Sequence, residues 1–99
     1  MAVKVIIEFQ AKPGQRDALL DLMLSMGEQF GPVMRERGAL DFALYEVTDN
    51  PDAIVEIAEW ETAGAREALM EEAVASGAFA PLMELLAAPP RAIYVRPLA

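Results

Sequence analysis

Residues 39 to 61 read ALDFALYEVTDNPDAIVEIAEWE, and the architecture turns on what these 23 positions form. Two runs rich in apolar, β-branched and aromatic residues flank Thr48-Asp49-Asn50-Pro51-Asp52. Asn-Pro between aspartates marks a turn, because short polar side chains bond to their own backbone and proline presets φ. Ala39 to Val47 and Ala53 to Glu61 are therefore expected as two consecutive strands joined by that turn. The aspartates lack the full ligand set of a calcium loop, so turn chemistry accounts for them.

Outward from this hairpin the periodicity changes on both sides. Upstream, Leu19, Met23, Met26, Phe30 and Met34 recur in steps of four, three, four and four, with Leu20, Leu22 and Leu24 widening the stripe. That spacing predicts an amphipathic helix from Gln15. Gly31-Pro32 is expected to bend or interrupt it, because proline lacks the amide donor. Gly38 suits the left-handed residue just past its end. Further upstream, Val3, Val5, Ile7 and Phe9 alternate with Lys4, Ile6, Glu8 and Gln10, the period of a strand. Pro13-Gly14 then fits a type II turn. Downstream, Thr62 suits an N-cap and Gly77 a stop for a second helix over Ala63 to Ser76. A short third helix carries Phe79, Leu82, Met83 and Leu86; Pro89-Pro90 ends it and Arg91 to Arg96 forms a last strand. The order is α+β, ferredoxin-like βαββαβ, with one antiparallel sheet and its helices on one face. Residues 1–99 show no linker, so one domain is expected.

Composition narrows the function. The chain has 99 residues, of which 55% are hydrophobic, while a fold this small buries only about two-thirds of its unfolded surface. The excess is expected to be covered by a second copy through the sheet face away from the helices, where Lys4, Ile6, Glu8 and Gln10 leave the first strand half apolar. No apolar run reaches the roughly 18 residues that span a bilayer. The first residues enter a strand pattern without signal-peptide zones, which makes a cytoplasmic location the default expectation. Sixteen acidic against eight basic residues give a net charge of −8, which repels nucleic acid and anionic membranes. The chain has no cysteine and no histidine. Thiolate chemistry, the commonest metal ligands and a Ser-His hydrolase arrangement are thereby removed, and neither haem nor transition-metal binding is expected.

Several pieces in this order resemble the antibiotic biosynthesis monooxygenase family of dimeric α+β barrels. They are Lys12-Pro13-Gly14, Glu36-Arg37-Gly38 before the second strand, Asp49-Asn50-Pro51-Asp52, Trp60 closing the third strand, and Phe79 with the Pro89-Pro90 strand. The resemblance covers nearly the whole chain and implies a homodimer. Many relatives carry a histidine nine or ten residues after the tryptophan, where this chain has Leu69 and Met70. Many place a glutamate two residues before it, where Ala58 stands here, with Glu56 and Glu59 nearby. An asparagine used by haem-degrading members falls near Ile7, so the haem reading loses both its ligand and its polar partner.

The resemblance implies a pocket between sheet and helices. Its candidate lining is Ile7 and Phe9 from the first strand, Met23, Met26 and Phe30 from the first helix, Phe42, and Leu69, Met70, Phe79 and Met83 from the later helices. Each of these also suits a plain core, since methionine fills irregular gaps as readily as it lines ligand pockets. Trp60 can stack on a planar aromatic or simply pack. Glu56, desolvated by apolar neighbours, can act as a general base; alternatively it pairs with Lys4, Arg91 or Arg96. Tyr45 and Tyr94 can bind a substrate hydroxyl or cap the sheet edge. Glu67, Glu71 and Glu72 fit a solvated helix face. With Glu56, Trp60 and Tyr45 as catalytic candidates, the implied activity is cofactor-independent oxygenation of an electron-rich aromatic such as a quinol or anthrone. The alternatives are a non-catalytic dimeric ligand-binding or interaction module, or an isomerase on the same scaffold.

Overall fold

The computed structural model describes residues 2–99. Their order is β1 (Val3–Gln10), α1 (Arg16–Glu36), β2 (Ala39–Val47), β3 (Asn50–Trp60), α2 (Ala63–Ala75), α3 (Ala80–Glu84) and β4 (Arg91–Val95). The four strands form one antiparallel sheet in the order β2-β3-β1-β4. This is the ferredoxin-like α+β layout that the alternation of periods predicts. Each crossover, through α1 and through α2 with α3, skips one strand.

Local chemistry explains the element ends. Gly14 and Gly38 adopt φ of +77° and +116°, a region in which a Cβ clashes with the backbone. The Gly14 amide also donates to the Asp52 carboxylate at 3.0 Å, fastening the first turn to the start of β3. At α2, Thr62 Oγ1 accepts from the Ala65 amide at 3.0 Å, as an N-cap should.

Two expectations need correction. Of the bend or interruption expected at Gly31-Pro32, the interruption does not occur: α1 runs unbroken from Arg16 to Glu36 with Pro32 inside it. Pro32 and Glu28, whose carbonyl loses its intrahelical donor, both lie on the exposed side, where water can satisfy that carbonyl. The hairpin turn is also shorter than the sequence suggests, since β3 starts at Asn50 and leaves only Thr48 and Asp49 between the strands. Asn50 makes this possible. Its side chain accepts from the Asp52 amide at 3.1 Å and donates to Gln10 Oε1 at 2.9 Å. A register irregularity between Glu46 and Val47 keeps Pro51 out of the regular ladder.

The core lies between the helices and one sheet face. Val3, Val5, Ile7 and Phe9 of β1 and Ile54, Ala58 and Trp60 of β3 bury against Leu19 and Met23 of α1, Leu82 of α3 and Leu86. Val5 and Leu19 are fully buried, and a side chain so placed contributes roughly 1.5–3 kcal/mol. Among the described residues the opposite face has no layer over it, and the molecule is only 20 Å thick along its shortest axis.

Candidate functional site

Strand register sorts the candidate residues. Glu56 stands opposite Ile7 on β1 and Leu44 on β2, while Trp60 stands opposite Val3 and Ala39. Opposed residues point to the same side of a sheet, so Glu56, Ala58 and Trp60 all face the helices. Val55 and Ile57 face the open side. This resolves the face of β3, which its sequence leaves ambiguous.

Glu56 is thus a carboxylate set among Leu44, Ile7 and the helix layer. Burial pushes its carboxyl above the ordinary value of 4.5, and the pull of the Arg66 guanidinium in the other direction is the weaker effect. Of its expected pairing partners, Lys4 and Arg91 occupy the open face, opposite Glu59 and Glu8. The ion pairs among the described residues are Arg16 with Glu46 and Arg37 with Glu72. Glu56 therefore has no salt bridge to Lys4, Arg91 or Arg96.

Arg66 is the residue that sequence reasoning missed. It lies on the first turns of α2, and its Nη1 donates to the Tyr94 hydroxyl at 3.0 Å, with the guanidinium carbon 5.7 Å from the centre of the Tyr94 ring. Tyr94 faces the helices because it stands opposite Val5. A signal existed: Arg66, Leu69, Met70 and Ala73 are spaced three, four and seven apart, and all four are half-buried on one side of α2.

The remaining candidates differ in burial and in the sheet face they occupy. Ile7, Phe9, Met23 and Trp60 belong to the buried core, Trp60 being only 3% exposed, and Met26, Leu69 and Phe79 pack at its margin. Phe30 and Phe42 are 37% and 43% exposed, and Phe42 lies against Gly27 of α1, where an added Cβ would sit 3.4 Å from its ring. Met70 is half-buried on α2 and Met83 is exposed on α3. Tyr45 does not join Glu56 and Trp60, because it stands opposite Val55 on the open face.

That open face has its own order. Ala43, Ile57, Ile6 and Ile93 stand side by side across all four strands. One flanking row is Tyr45, Val55, Glu8 and Arg91, and the other is Asp41, Glu59, Lys4 and Val95. A recess of about 150 Å³ opens there beside Lys4, Tyr45 and Glu59, and another of about 210 Å³ lies between Gly14, Arg16 and Asp52. Neither adjoins Glu56. On the helix side, α2 has no fully buried residue and is tied down by the Arg66–Tyr94 contact and by Arg37 donating to Glu72.

A family model described as antibiotic biosynthesis monooxygenase matches residues 2–83. No curated protein sequence matches the chain. Among solved structures, a Mycobacterium tuberculosis protein is similar at 26% identity and a TM-score of 0.76, covering 100% of this chain and 97% of that one. A Streptomyces coelicolor monooxygenase, solved in complex with the ligand nanaomycin D, is similar at 22% identity and a TM-score of 0.77, covering 99% and 88%. A conserved Methanosarcina mazei protein is similar at 23% identity and a TM-score of 0.77, covering 97% and 92%. At such identities these likenesses establish the shared fold.

Proposed function

This chain belongs to the antibiotic biosynthesis monooxygenase family, and on that basis we propose that it is a cofactor-independent monooxygenase acting on an electron-rich aromatic of quinol or anthrone type, working as a homodimer. The observation that carries the reading is Glu56: a carboxyl on the helix-facing side of the sheet, raised in pKa by burial, with Arg66 near enough to act on its charge. A base so tuned works closer to neutral pH than an exposed glutamate.

The chemistry asks little of the protein. For an anthrone, Glu56 takes a proton from the ring methylene, and the resulting carbanion passes one electron to dioxygen. The substrate radical and superoxide combine into a peroxide, which takes up a proton. Loss of water then leaves a carbonyl. One atom of dioxygen enters the product, the other leaves as water, and the substrate supplies all the electrons. The surrounding apolar side chains would keep solvent from the intermediates. That α2 has no fully buried residue supports its displacement as the way in.

Dimerisation is proposed through the open face, where an isoleucine row lies between mixed charged rows. It would also give Tyr45 and Lys4 a partner surface. The test of function is oxygen uptake by metal-stripped protein over a panel of hydroquinones and anthrones, with labelled dioxygen to show one atom incorporated. Uptake abolished by Glu56→Gln supports the reading. No uptake across the panel would favour a ligand-binding or interaction module instead.

A further inference from the structure

Eight basic residues serve this chain, and they differ sharply in surroundings. Lys4, Lys12, Arg35, Arg91 and Arg96 are exposed. Arg16 and Arg37 are half-buried but engaged by Glu46 and Glu72. Arg66 alone is both half-buried and without a carboxylate in ion-pair contact among the described residues. Among the described residues its one hydrogen-bond partner is the Tyr94 hydroxyl, which uses a single N–H of a group that carries five. The Tyr94 ring beside it further fixes the guanidinium without neutralising it.

A half-buried cation held in place by neutral groups is an arrangement suited to receive an anion. The planar fork of arginine matches a carboxylate or a phenolate better than any other side chain. We infer that the ligand of the helix-side site carries an anionic oxygen group, and that Arg66, oriented by Tyr94, is the residue that binds it. This rests on the reading above that the ligand enters between α2 and the sheet. The aromatic body would then lie toward Glu56 and Trp60 while its acidic end meets Arg66. Glu56 makes no ion pair with Arg66 among the described residues, so the Arg66 donors that Tyr94 leaves unused remain open to a ligand. The net charge of −8 gives no long-range attraction for anions, so the selectivity must be local to Arg66.

The test uses a matched pair of probes, anthraquinone-2-carboxylate and anthraquinone-2-carboxamide, titrated against the full chain. Binding is followed by quenching of Trp60 and by calorimetry. The wild type should bind the carboxylate about tenfold or more tightly than the amide, the size expected of a charge-assisted hydrogen-bonded pair. Arg66→Gln should remove that preference, lowering carboxylate affinity far more than amide affinity. Arg66→Lys, which keeps the charge and loses the fork, should retain part of it. Tyr94→Phe should lower carboxylate affinity alone, because it frees the guanidinium from its anchor. If both probes bind the wild type equally, the inference fails while the site between α2 and the sheet stands. If neither probe binds, the inference and the location of the site fail together.

Discussion

Glu56 carries two consequences at the scale of a single side chain. Its folded pKa lies above 4.5 because burial disfavours the charged form. Below the unfolded pKa both states hold the proton; as pH rises through the folded value, the native state must ionise a desolvated carboxyl and loses stability. Glu56→Gln should therefore melt like wild type well below the unfolded carboxyl pKa and higher than wild type at neutral pH. A variant less stable at pH 8 would mean that Arg66 outweighs burial. The same substitution should abolish any oxygen uptake, which separates the stability effect from the catalytic one. Trp60 is buried at 3% exposure, so Trp60→Phe should leave a partial cavity costing roughly 1–2 kcal/mol. At about 4–8 °C per kcal/mol for a domain of this size, calorimetry would resolve the change easily.

At the scale of elements, α2 depends more on its ends than on its face. None of its residues is fully buried, so the Thr62 cap and the Arg37–Glu72 contact hold a helix that packing holds weakly. Thr62→Ala should cost about 1 kcal/mol, and hydrogen exchange should show the loss concentrated in Ala63–Ala75 rather than in β1 or β3. The Glu72 carboxyl is held below the usual carboxylate range, first by the hydrogen bond from Arg37. Its contribution is therefore present above the unfolded pKa and lost as pH falls, the reverse of Glu56. Between α1 and β2, Gly38 has φ of +116°, and a Cβ there would meet Ala65 at 3.4 Å and Glu61 Oε2 at 3.5 Å. Gly38→Ala should destabilise by about 1–3 kcal/mol in urea unfolding, the scale of backbone strain in that region. Pro32 shows the limit of such element rules, since a helix interior tolerates proline where the orphaned carbonyl faces water.

For the whole molecule, the consequence lies in the sheet face that no helix covers. Ala43, Ile57, Ile6 and Ile93 cross it in one row, and the molecule measures 38 × 36 Å in its two longer dimensions. A self-complementary contact there has room for the roughly 1,000 Å² or more that a specific interface buries. Sedimentation should report a dimer at micromolar concentration, and Ile57→Lys should convert it to monomer by placing a charge at the centre of the contact. A wild type that is monomeric throughout would remove the dimer from the proposal. Retained secondary structure by circular dichroism would show that the variant acts on association and not on folding.

What depends on neighbours along the chain was legible in the order of residues. The strand and helix periods, the turns at Gly14, Gly38 and Gly77, and the Thr62 cap are local consequences of side-chain spacing and backbone freedom. The lack of histidine and cysteine is equally plain from composition, and it narrows the chemistry independently of how the chain folds. The set of β3 residues that meets the helices was not legible in this way. Ile54, Glu56, Ala58 and Trp60 form one alternating set and Ala53, Val55, Ile57 and Glu59 the other, and both are apolar enough to be core. Pairing with the Val3, Val5, Ile7 and Phe9 face of β1 breaks the tie. The same long-range register sends Tyr45 to the open side and Tyr94 to the helix side. Arg66 reaches its place because α2 brings it over β4. That contact joins residues 28 positions apart, and a period of two or 3.6 residues holds no information over that distance.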